Sequence, residues 1–192
     1  MRKKLSVNFF NRPTTAVARD LLGKHLVRQW RGKELALLIT EVEAYDGPHD
    51  RASHASRGKT RRTRIMFGPA GHFYVYFTYG MHWLVNIVTG PKEYPAAVLI
   101  RAGGYHNDKT GTWTELNGPA RLTKFLHIGK AQNGKIARPE SGLWFEDRGA
   151  IVPKKIVASK RIGVDYAGPI WKNKPYRFSI IKNRPRTKAK PQ

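Results

Sequence analysis

The most restrictive feature of the sequence is a run of aromatic and β-branched residues at 73–79, FYVYFTY. It is followed by Gly80 and Met81 and then by a second apolar run at residues 83–88. Aromatic and β-branched residues favour strands, and two such runs separated by a short glycine-containing turn are typical of a hairpin. We therefore predict an antiparallel hairpin with Tyr79 and Gly80 at or near its tip.

Signals on both sides of this hairpin predict further strands and few helices. Pro13 begins a predicted helix at residues 14–22, and Gly118-Pro119 precedes another at 120–126. Further strands are predicted at residues 25–30, 34–45, 96–101, 143–145, 151–158 and 176–181, with loops at 57–64, 103–111 and 129–142.

These elements predict an α+β fold in a single mixed domain that spans residues 1–182. Its main component would be a curved, mainly antiparallel β-sheet, open and barrel-like, which is flanked by helices and carries the hairpin as a protrusion. The last residues, 183–192, read NRPRTKAKPQ and form a basic tail that we expect to be disordered.

The charge balance indicates the class of partner. The 192-residue chain has 36 Lys and Arg against 13 Asp and Glu, a net charge of +23. Such an excess destabilises a compact chain by self-repulsion and favours a polyanionic partner, nucleic acid before a membrane surface. The basic loop at 57–64, RGKTRRTR, lies between acidic and aromatic segments, which favours phosphate contact over a merely solvated face.

The composition also excludes some function classes. The chain contains no cysteine, which excludes disulfides, thiolate catalysis and cysteine-ligated zinc. It has no apolar run of the roughly 18 residues that a membrane helix needs, and its N-terminus lacks the apolar core of a signal peptide. We therefore expect a cytoplasmic protein, associated with the nucleoid in a bacterium or located in the nucleus of a eukaryote.

Acidic residues and histidines concentrate in the stretch 39–56, ITEVEAYDGPHDRASHAS. The period of a strand places Glu41, Glu43 and Tyr45 on one face. A solvated face that offsets nearby positive charge is one interpretation of the two carboxylates. A carboxylate that activates water is the other, because an acidic group beside a bound phosphate backbone weakens binding unless it serves the chemistry. Both interpretations remain open at this point.

The loop after this strand offers a candidate metal site. Asp46, His49, Asp50 and His54 have a spacing that resembles a set of ligands for a divalent metal. No HExxH motif accompanies them, and loops of this composition are often only polar.

Tyrosines of the hairpin suggest a site for a planar ligand. Tyr76, together with Tyr45 and His54, could sandwich a heterocycle, although an aromatic run is more often core. Tyr79, beside a glycine at a hairpin tip, has the position of a wedge that opens a base step. Asn86 and Arg101 interrupt or end apolar strands; a hydrogen bond at a turn and a surface ion pair are their simpler interpretations.

Together, these residues resemble one family, the alkyladenine (3-methyladenine) DNA glycosylases of the human-like type without a helix-hairpin-helix. The resemblance covers nearly the whole chain. Its segments are FFNRPTTAVARDLLGKHLV, TEVEAYDGPHDRASH, RIMFGPAGHFYVYFTYGMHWLVNIV, VLIRA, LNGPARL and KRIGVDYAG. Arg61 stands where a proline is common in the family, which affects loop shape and not the chemistry.

The resemblance implies a monofunctional glycosylase that acts as a monomer on double-stranded DNA containing damaged purines, without a metal or other cofactor. It implies that Glu43 is the general base and that Arg101 and the backbone carbonyl of Ile162 help to hold the attacking water. Glu41 has no catalytic counterpart in the family, and a strand-cleaving lyase activity is not expected.

The resemblance also implies the DNA contacts. Tyr45, His54 and Tyr76 would surround a flipped base. Asn86 would discriminate against normal guanine, and Tyr79 would intercalate in the duplex. The expected backbone contacts are Arg57, Lys59, Thr60, Arg64 and Arg121.

Two other functions compete with this interpretation. A non-catalytic nucleic-acid-binding protein is supported by the charge alone, and it would bind DNA without releasing a base. A metal-dependent nuclease would use Asp46, His49, Asp50 and His54 and would lose activity in EDTA.

Overall fold

The structure is a computed structural model that describes residues 2–107, 110–149 and 155–180. Its helices are short: α1 (Val7–Phe10), α2 (Thr14–Leu21), α3 (Pro119–Phe125) and α4 (Gly168–Asn173). Its strands are β1 (Lys3–Lys4), β2 (His25–Trp30), β3 (Lys33–Tyr45), β4 (Phe73–Thr78), β5 (His82–Val88), β6 (Ala97–Asn107), β7 (Thr112–Asn117), β8 (Leu143–Asp147), β9 (Ile156–Ser159) and β10 (Arg177–Ile180). The predicted tail at 183–192 and the first part of the predicted strand at 151–158 lie outside the described residues.

The described strands form one antiparallel sheet in the order β1-β8-β2-β3-β6-β5-β4. Strand β7 extends it beside β6, and β9 and β10 form a branch on β3. The branch arises because β3 changes partner along its length: residues before Ile39 pair with β2, whereas Glu41, Val42 and Glu43 pair with β10. The sheet curls into a half-barrel, which confirms the predicted α+β fold.

Local sequence explains two hairpins of the sheet, of which the second was predicted. Strands β2 and β3 are joined through Arg31 and Gly32, whose φ angles of 47° and 78° match the type I′ turn that suits the twist of a hairpin. Strands β4 and β5 pair as far as Thr78 opposite His82, so Tyr79 lies at the tip, as predicted.

The prediction of a polar loop at 103–111 was wrong for residues 103–107 and holds for the turn at residues 110 and 111. Strand β6 continues to Asn107 and pairs with β7, which was not predicted. The glycines at 103 and 104 suggested a turn, but they serve close packing. A Cβ at Gly103 would lie 2.5 Å from the Leu38 carbonyl oxygen, and one at Gly104 would lie 2.1 Å from the Trp113 ring.

The predicted loop at 129–142 packs against the hairpin. It contains two single turns of 3₁₀ helix, and the Asn133 side chain accepts a hydrogen bond of 3.0 Å from the Val75 backbone N–H. A backbone bridge joins His72 and Ile136. The segment therefore supports β4 from the side.

The core lies where the curved sheet meets helices α2 and α3. Phe10, Phe73 and Phe145 are fully buried there, with ring centroids 5.4 Å apart for Phe10 and Phe145 and 5.7 Å apart for Phe73 and Phe145. This packing explains why the short helix α1, which was not predicted, is stable. Among the helices of the described chain, none is long and apolar enough to cross a membrane.

Candidate active site

A cavity of about 380 Å³ opens between the hairpin β4–β5 and the segment that follows β9. Six stretches that are distant in sequence contribute to its wall. The wall brings together most of the predicted site residues: Tyr45, His54, Tyr76, Tyr79, Asn86, Arg101 and Ile162.

Glu43 lies directly behind this wall. Its side chain is 0% exposed, so the interpretation of Glu43 as part of a solvated strand face was wrong. The carboxylate accepts a hydrogen bond of 2.9 Å from the Tyr45 hydroxyl and one of 2.8 Å from the Ile162 backbone N–H. Arg101 Nη1 approaches it to 3.4 Å. All three partners line the cavity, and the carboxylate is therefore one hydrogen bond away from it.

Arg101 holds both carboxylates of the β3 face. Its Nε donates to Glu41 at 3.1 Å while Nη1 faces Glu43, which confirms that Glu41 and Glu43 project from the same side of β3. The Arg101 side chain is largely buried, so its ion pairs are not the simple surface pairs of the alternative interpretation. Arg177 also approaches Glu41, at 3.5 Å.

Tyr45 and Tyr76, two of the tyrosines of the wall, are protonated and uncharged at neutral pH. Burial, with the neighbouring Glu43 carboxylate, raises the pKa of Tyr45 well above its ordinary value, and burial likewise raises the pKa of Tyr76. Each ring also has an arginine over it: Arg161 Cζ lies 4.8 Å from the Tyr45 centroid, and Arg62 Cζ lies 5.0 Å from that of Tyr76.

His54 begins a short 3₁₀ helix and packs against the tyrosines of β4. Its Nδ1 is 3.1 Å from the Tyr74 hydroxyl, and its ring meets that of Tyr76 edge-on with centroids 4.7 Å apart. Burial, together with the charges of Arg62 and Arg57, lowers the pKa of His54 to about 4. At neutral pH the imidazole is therefore uncharged, with one donor and one acceptor nitrogen.

Asn86 and Tyr79 mark the inner and outer ends of the cavity. Asn86 is buried in the middle of β5, where its side-chain amide donates to the Tyr74 carbonyl at 3.0 Å; the bond crosses between strands and is not at a turn. Tyr79 is 85% exposed at the hairpin tip with a φ of 51°. Met81 beside it is also exposed.

The candidate metal ligands do not form a metal site. Asp50 is buried in an ion pair with Arg161, whose Nη2 donates to it at 2.8 Å. Asp46 accepts hydrogen bonds from Thr14 Oγ1 and from the Tyr94 hydroxyl. In the part of the chain that the structure describes, no three His, Cys, Asp or Glu side chains are grouped so that they could hold a metal ion.

The five residues predicted to contact the DNA backbone are all exposed, and their role stays a prediction. Arg57 and Arg64 are exposed. Lys59 Nζ lies 3.1 Å from both carboxylate oxygens of Glu93, and Thr60 forms a turn with Thr63. Arg121 lines a groove beside Met81.

Two residues of the site were missed in the sequence. Tyr166 lies in the wall, is 67% exposed and donates from its hydroxyl to the Ala52 carbonyl at 2.9 Å. Arg161 lies behind Tyr45. Both belong to the segment KRIGVDYAG, in which sequence reasoning assigned a role to Ile162 alone. The resemblance of that whole segment was the available signal.

Comparison with known proteins gives consistent matches. The sequence model of one family, methylpurine-DNA glycosylase (MPG), matches residues 8–184. A Methanocella arvoryzae protein provisionally named 3-methyladenine DNA glycosylase is 47% identical over 188 residues, which cover 93% of this chain and 92% of that protein. Proteins with the same provisional name from Anaeromyxobacter sp. and Streptomyces avermitilis are 45% and 43% identical, with coverage of 94% and 93% of this chain and 90% and 88% of their own lengths.

Proposed function

Because the chain belongs to the methylpurine-DNA glycosylase family, we propose that it is a monofunctional glycosylase that releases alkylated purines from duplex DNA and leaves an abasic site. The proposed substrates are 3-methyladenine and 7-methylguanine, with hypoxanthine and ethenoadenine as neutral lesions to be tested beside them. The protein would act as a monomer, without a cofactor, at the nucleoid of a bacterium or in the nucleus of a eukaryote.

The proposed reaction needs only one carboxylate. A purine alkylated at N3 or N7 is cationic, so its bond to C1′ breaks readily, and the bonding electrons neutralise the departing base. Water then adds its oxygen to the oxocarbenium-like sugar carbon and gives a proton to Glu43. Arg101 and the Ile162 carbonyl would hold this water. An acid-plus-base pair, as in typical glycoside hydrolases, is not required because the leaving group is already positive.

One observation carries the proposal: a fully buried glutamate whose three hydrogen-bonding partners form part of the wall of an aromatic cavity. Burying a carboxylate is costly unless donors surround it, and here all three donors belong to residues that line a space large enough for a base. A water that enters between them would reach Glu43.

The remaining wall residues suit a purine that has been flipped out of the helix. Tyr45, Tyr76 and His54 would enclose the base, and the tyrosine π faces attract a cation. Asn86 would disfavour normal guanine by a clash with its exocyclic amino group; 7-methylguanine carries the same group, but its positive charge weakens the bond to C1′ and so offsets this cost. Tyr79 would fill the gap that the flipped nucleotide leaves in the stack.

The test is base release from a panel of single-lesion duplexes, measured in EDTA, by wild-type protein and by the Glu43→Gln variant. We expect free base from the wild type and a loss of about 10²–10⁴-fold for Glu43→Gln, the range typical of a general base, with duplex binding nearly unchanged. Glu41→Gln alters the other carboxylate on the same strand face and should cost less than about tenfold.

Other results would favour the other functions. Binding with no base release at all would indicate a non-catalytic nucleic-acid-binding protein, which the net charge of +23 would also serve. Strand scission that stops in EDTA would indicate a nuclease, although the ion pair of Asp50 with Arg161 removes one of its proposed ligands. Retained turnover in Glu43→Gln would refute the role proposed for that residue.

A further inference from the structure

The connection between β9 and β10, residues 160–176, folds over the cavity and has no sheet partner of its own. It contributes Ile162, Gly163, Val164 and Tyr166 to the wall. It also supplies the N–H that binds Glu43. A connection of this length needs anchors if it is to hold one amide at a fixed place.

Arg161 is the main anchor of this connection. Its side chain is fully buried, and its guanidinium donates to the Ala44 carbonyl at 2.8 Å, to both carboxylate oxygens of Asp50 and to the Trp171 carbonyl at 3.3 Å. The guanidinium also lies over the Tyr45 ring. A bidentate arginine–carboxylate pair fixes orientation as well as distance, because its two hydrogen bonds are parallel.

Asp50 extends the anchor to a second wall segment. Its carboxylate accepts hydrogen bonds of 3.1 Å from the backbone N–H groups of Asp46 and Ala52. Ala52 lies in the wall, two residues before His54, and its carbonyl accepts the Tyr166 hydroxyl. The ion pair therefore joins three stretches of wall: the end of β3, the loop 46–53 and the connection 160–176.

Arg161 and Ile162, which are neighbours in the chain, hold two neighbouring residues of β3, Ala44 and Glu43. Ile162 follows Arg161 in the chain and donates to Glu43, whereas Arg161 donates to Ala44, the residue next to Glu43. In the first contact a backbone N–H binds the Glu43 side chain, and in the second the Arg161 side chain binds a backbone carbonyl. Without Arg161, the Ile162 amide would lose the contact that fixes its distance from β3.

Stability alone does not explain this arrangement. Removing two charges from water costs about as much as their attraction returns, so a buried ion pair is a weak source of stability. Arg161 Nε is in addition buried without a hydrogen-bond partner among the described residues, which adds a further cost. The arrangement is better explained if the ion pair fixes the geometry of the site.

We propose that Arg161, held by Asp50, is a positioning residue for hydrolysis: it sets the Ile162 backbone and the Tyr45 ring against Glu43 without touching the substrate. The inference rests on the proposed function, because it assigns a role in the same reaction. It predicts that loosening Arg161 slows the chemical step and leaves DNA binding nearly intact, since a displacement of about 1 Å in a reacting geometry costs on the order of 10²-fold in rate.

The first experiment compares Arg161→Lys with Arg148→Lys. Lysine keeps the charge and loses the bidentate geometry. Arg148 forms a largely buried ion pair with Glu146 on β8, outside the cavity wall, and is therefore a matched control for stability. We expect Arg161→Lys to lower the single-turnover rate by about ten- to a hundredfold with lesion-duplex affinity within about threefold. Arg148→Lys should keep the wild-type single-turnover rate even if its melting temperature falls as much as that of Arg161→Lys.

The second experiment measures hydrogen exchange at the Ile162 amide, and its wild-type measurement does not depend on a variant that folds. In the wild type this amide should be protected. In Arg161→Lys it should exchange at least about tenfold faster while the Phe145 amide in β8 keeps its protection, because the effect is local.

Three results would overturn the proposal: an unprotected Ile162 amide in the wild type, full single-turnover activity in Arg161→Lys, or equal loss of rate in the Arg148→Lys control. Absence of base release by the wild type would refute the proposed function instead. The exchange experiment would still report whether Arg161 positions the amide.

Discussion

At the scale of single residues, the chemistry of the site depends on a spacing of two along β3. That spacing places the Tyr45 hydroxyl 2.9 Å from the Glu43 carboxylate, since alternate side chains of a strand share a face. The raised pKa of Tyr45 keeps the phenol protonated, so it can only donate to the carboxylate. One residue thus presents its ring to the cavity and its hydroxyl to the proposed general base.

Tyr79 allows a prediction at the same scale. Its ring has almost no contact with the protein, so a substitution should alter DNA binding and not the fold. Stacking of an aromatic side chain on a base is worth roughly 1–3 kcal/mol. Tyr79→Ser should therefore slow excision about ten- to a hundredfold, measured as single-turnover release of 7-methylguanine.

Tyr79→Phe is the matched control, because it keeps the ring and removes the hydroxyl. It should excise within about threefold of the wild-type rate. Equal losses in the two variants would show that the hydroxyl, and not stacking, is what Tyr79 contributes.

At the scale of elements, the change of partner along β3 builds the site. The register shifts between Ile39 and Val42 mark the place where β10 joins β3 opposite Glu41 and Glu43. A bulge of this kind bends a strand and increases its twist. Because β10 ends the connection that begins after β9, the same irregularity brings Arg161 and Ile162 back to the glutamate.

Gly104 provides a prediction for the sheet. A Cβ at this position would lie 2.1 Å from the Trp113 ring, so Gly104→Ala must displace the indole or separate β6 from β7. Overpacking of this kind costs about 1–3 kcal/mol. We expect a fall in melting temperature of roughly 2–12 °C, measured by calorimetry, since 1 kcal/mol corresponds to 2–4 °C in a chain of this size.

Gly32→Asn is the control for Gly104→Ala. Gly32 has a φ of +78° with no neighbouring atom within 4 Å, and asparagine tolerates that backbone conformation. The melting temperature of the Gly32→Asn protein should differ from that of the wild type by only about a degree or two. A Gly104→Ala protein as stable as the wild type would show that Trp113 moves without cost.

At the scale of the whole molecule, a strongly basic surface surrounds a small interior set of charges. The charge of +23 gives a long-range attraction for DNA that does not depend on sequence. Inside, Glu43 and Asp50 are each matched by an arginine. The electrostatic field at the proposed reaction centre therefore depends on these buried pairs more than on the surface charge.

Two half-buried histidines predict how stability depends on pH. Burial lowers the pKa of both His25 and His54 to about 4, below the value of about 6.5 for an unfolded histidine. Between these values the unfolded chain binds more protons than the folded protein, so the free energy of unfolding falls as pH decreases from 6.5. Urea unfolding between pH 7 and pH 5, where carboxylates remain ionised, should show this fall.

Substitution tests the assignment. His25→Gln and His54→Gln should each remove part of the pH dependence, and the double variant should be nearly independent of pH in that window. A slope that is unchanged in the double variant would place the titrating groups elsewhere in the protein.

The sequence by itself determined the features that repeat over a few residues. The hairpin with Tyr79 at its tip, the α2 helix, the common face of Glu41 and Glu43, and the family resemblance all follow from periodicity or from short motifs. The sequence did not separate the two glutamates by burial, and it placed a loop at Gly103 and Gly104. Only the tertiary structure decided these points.

The same division explains why the sequence suggested a metal site that the structure does not contain among the described residues. Asp50 and Arg161 are 111 residues apart, and nothing in the local pattern of either indicates the other. Local structure follows from steric preferences that act within a few residues. Burial, charge pairing and close backbone approach depend on which distant segments meet, and here the curl of the sheet at β3 brings them together.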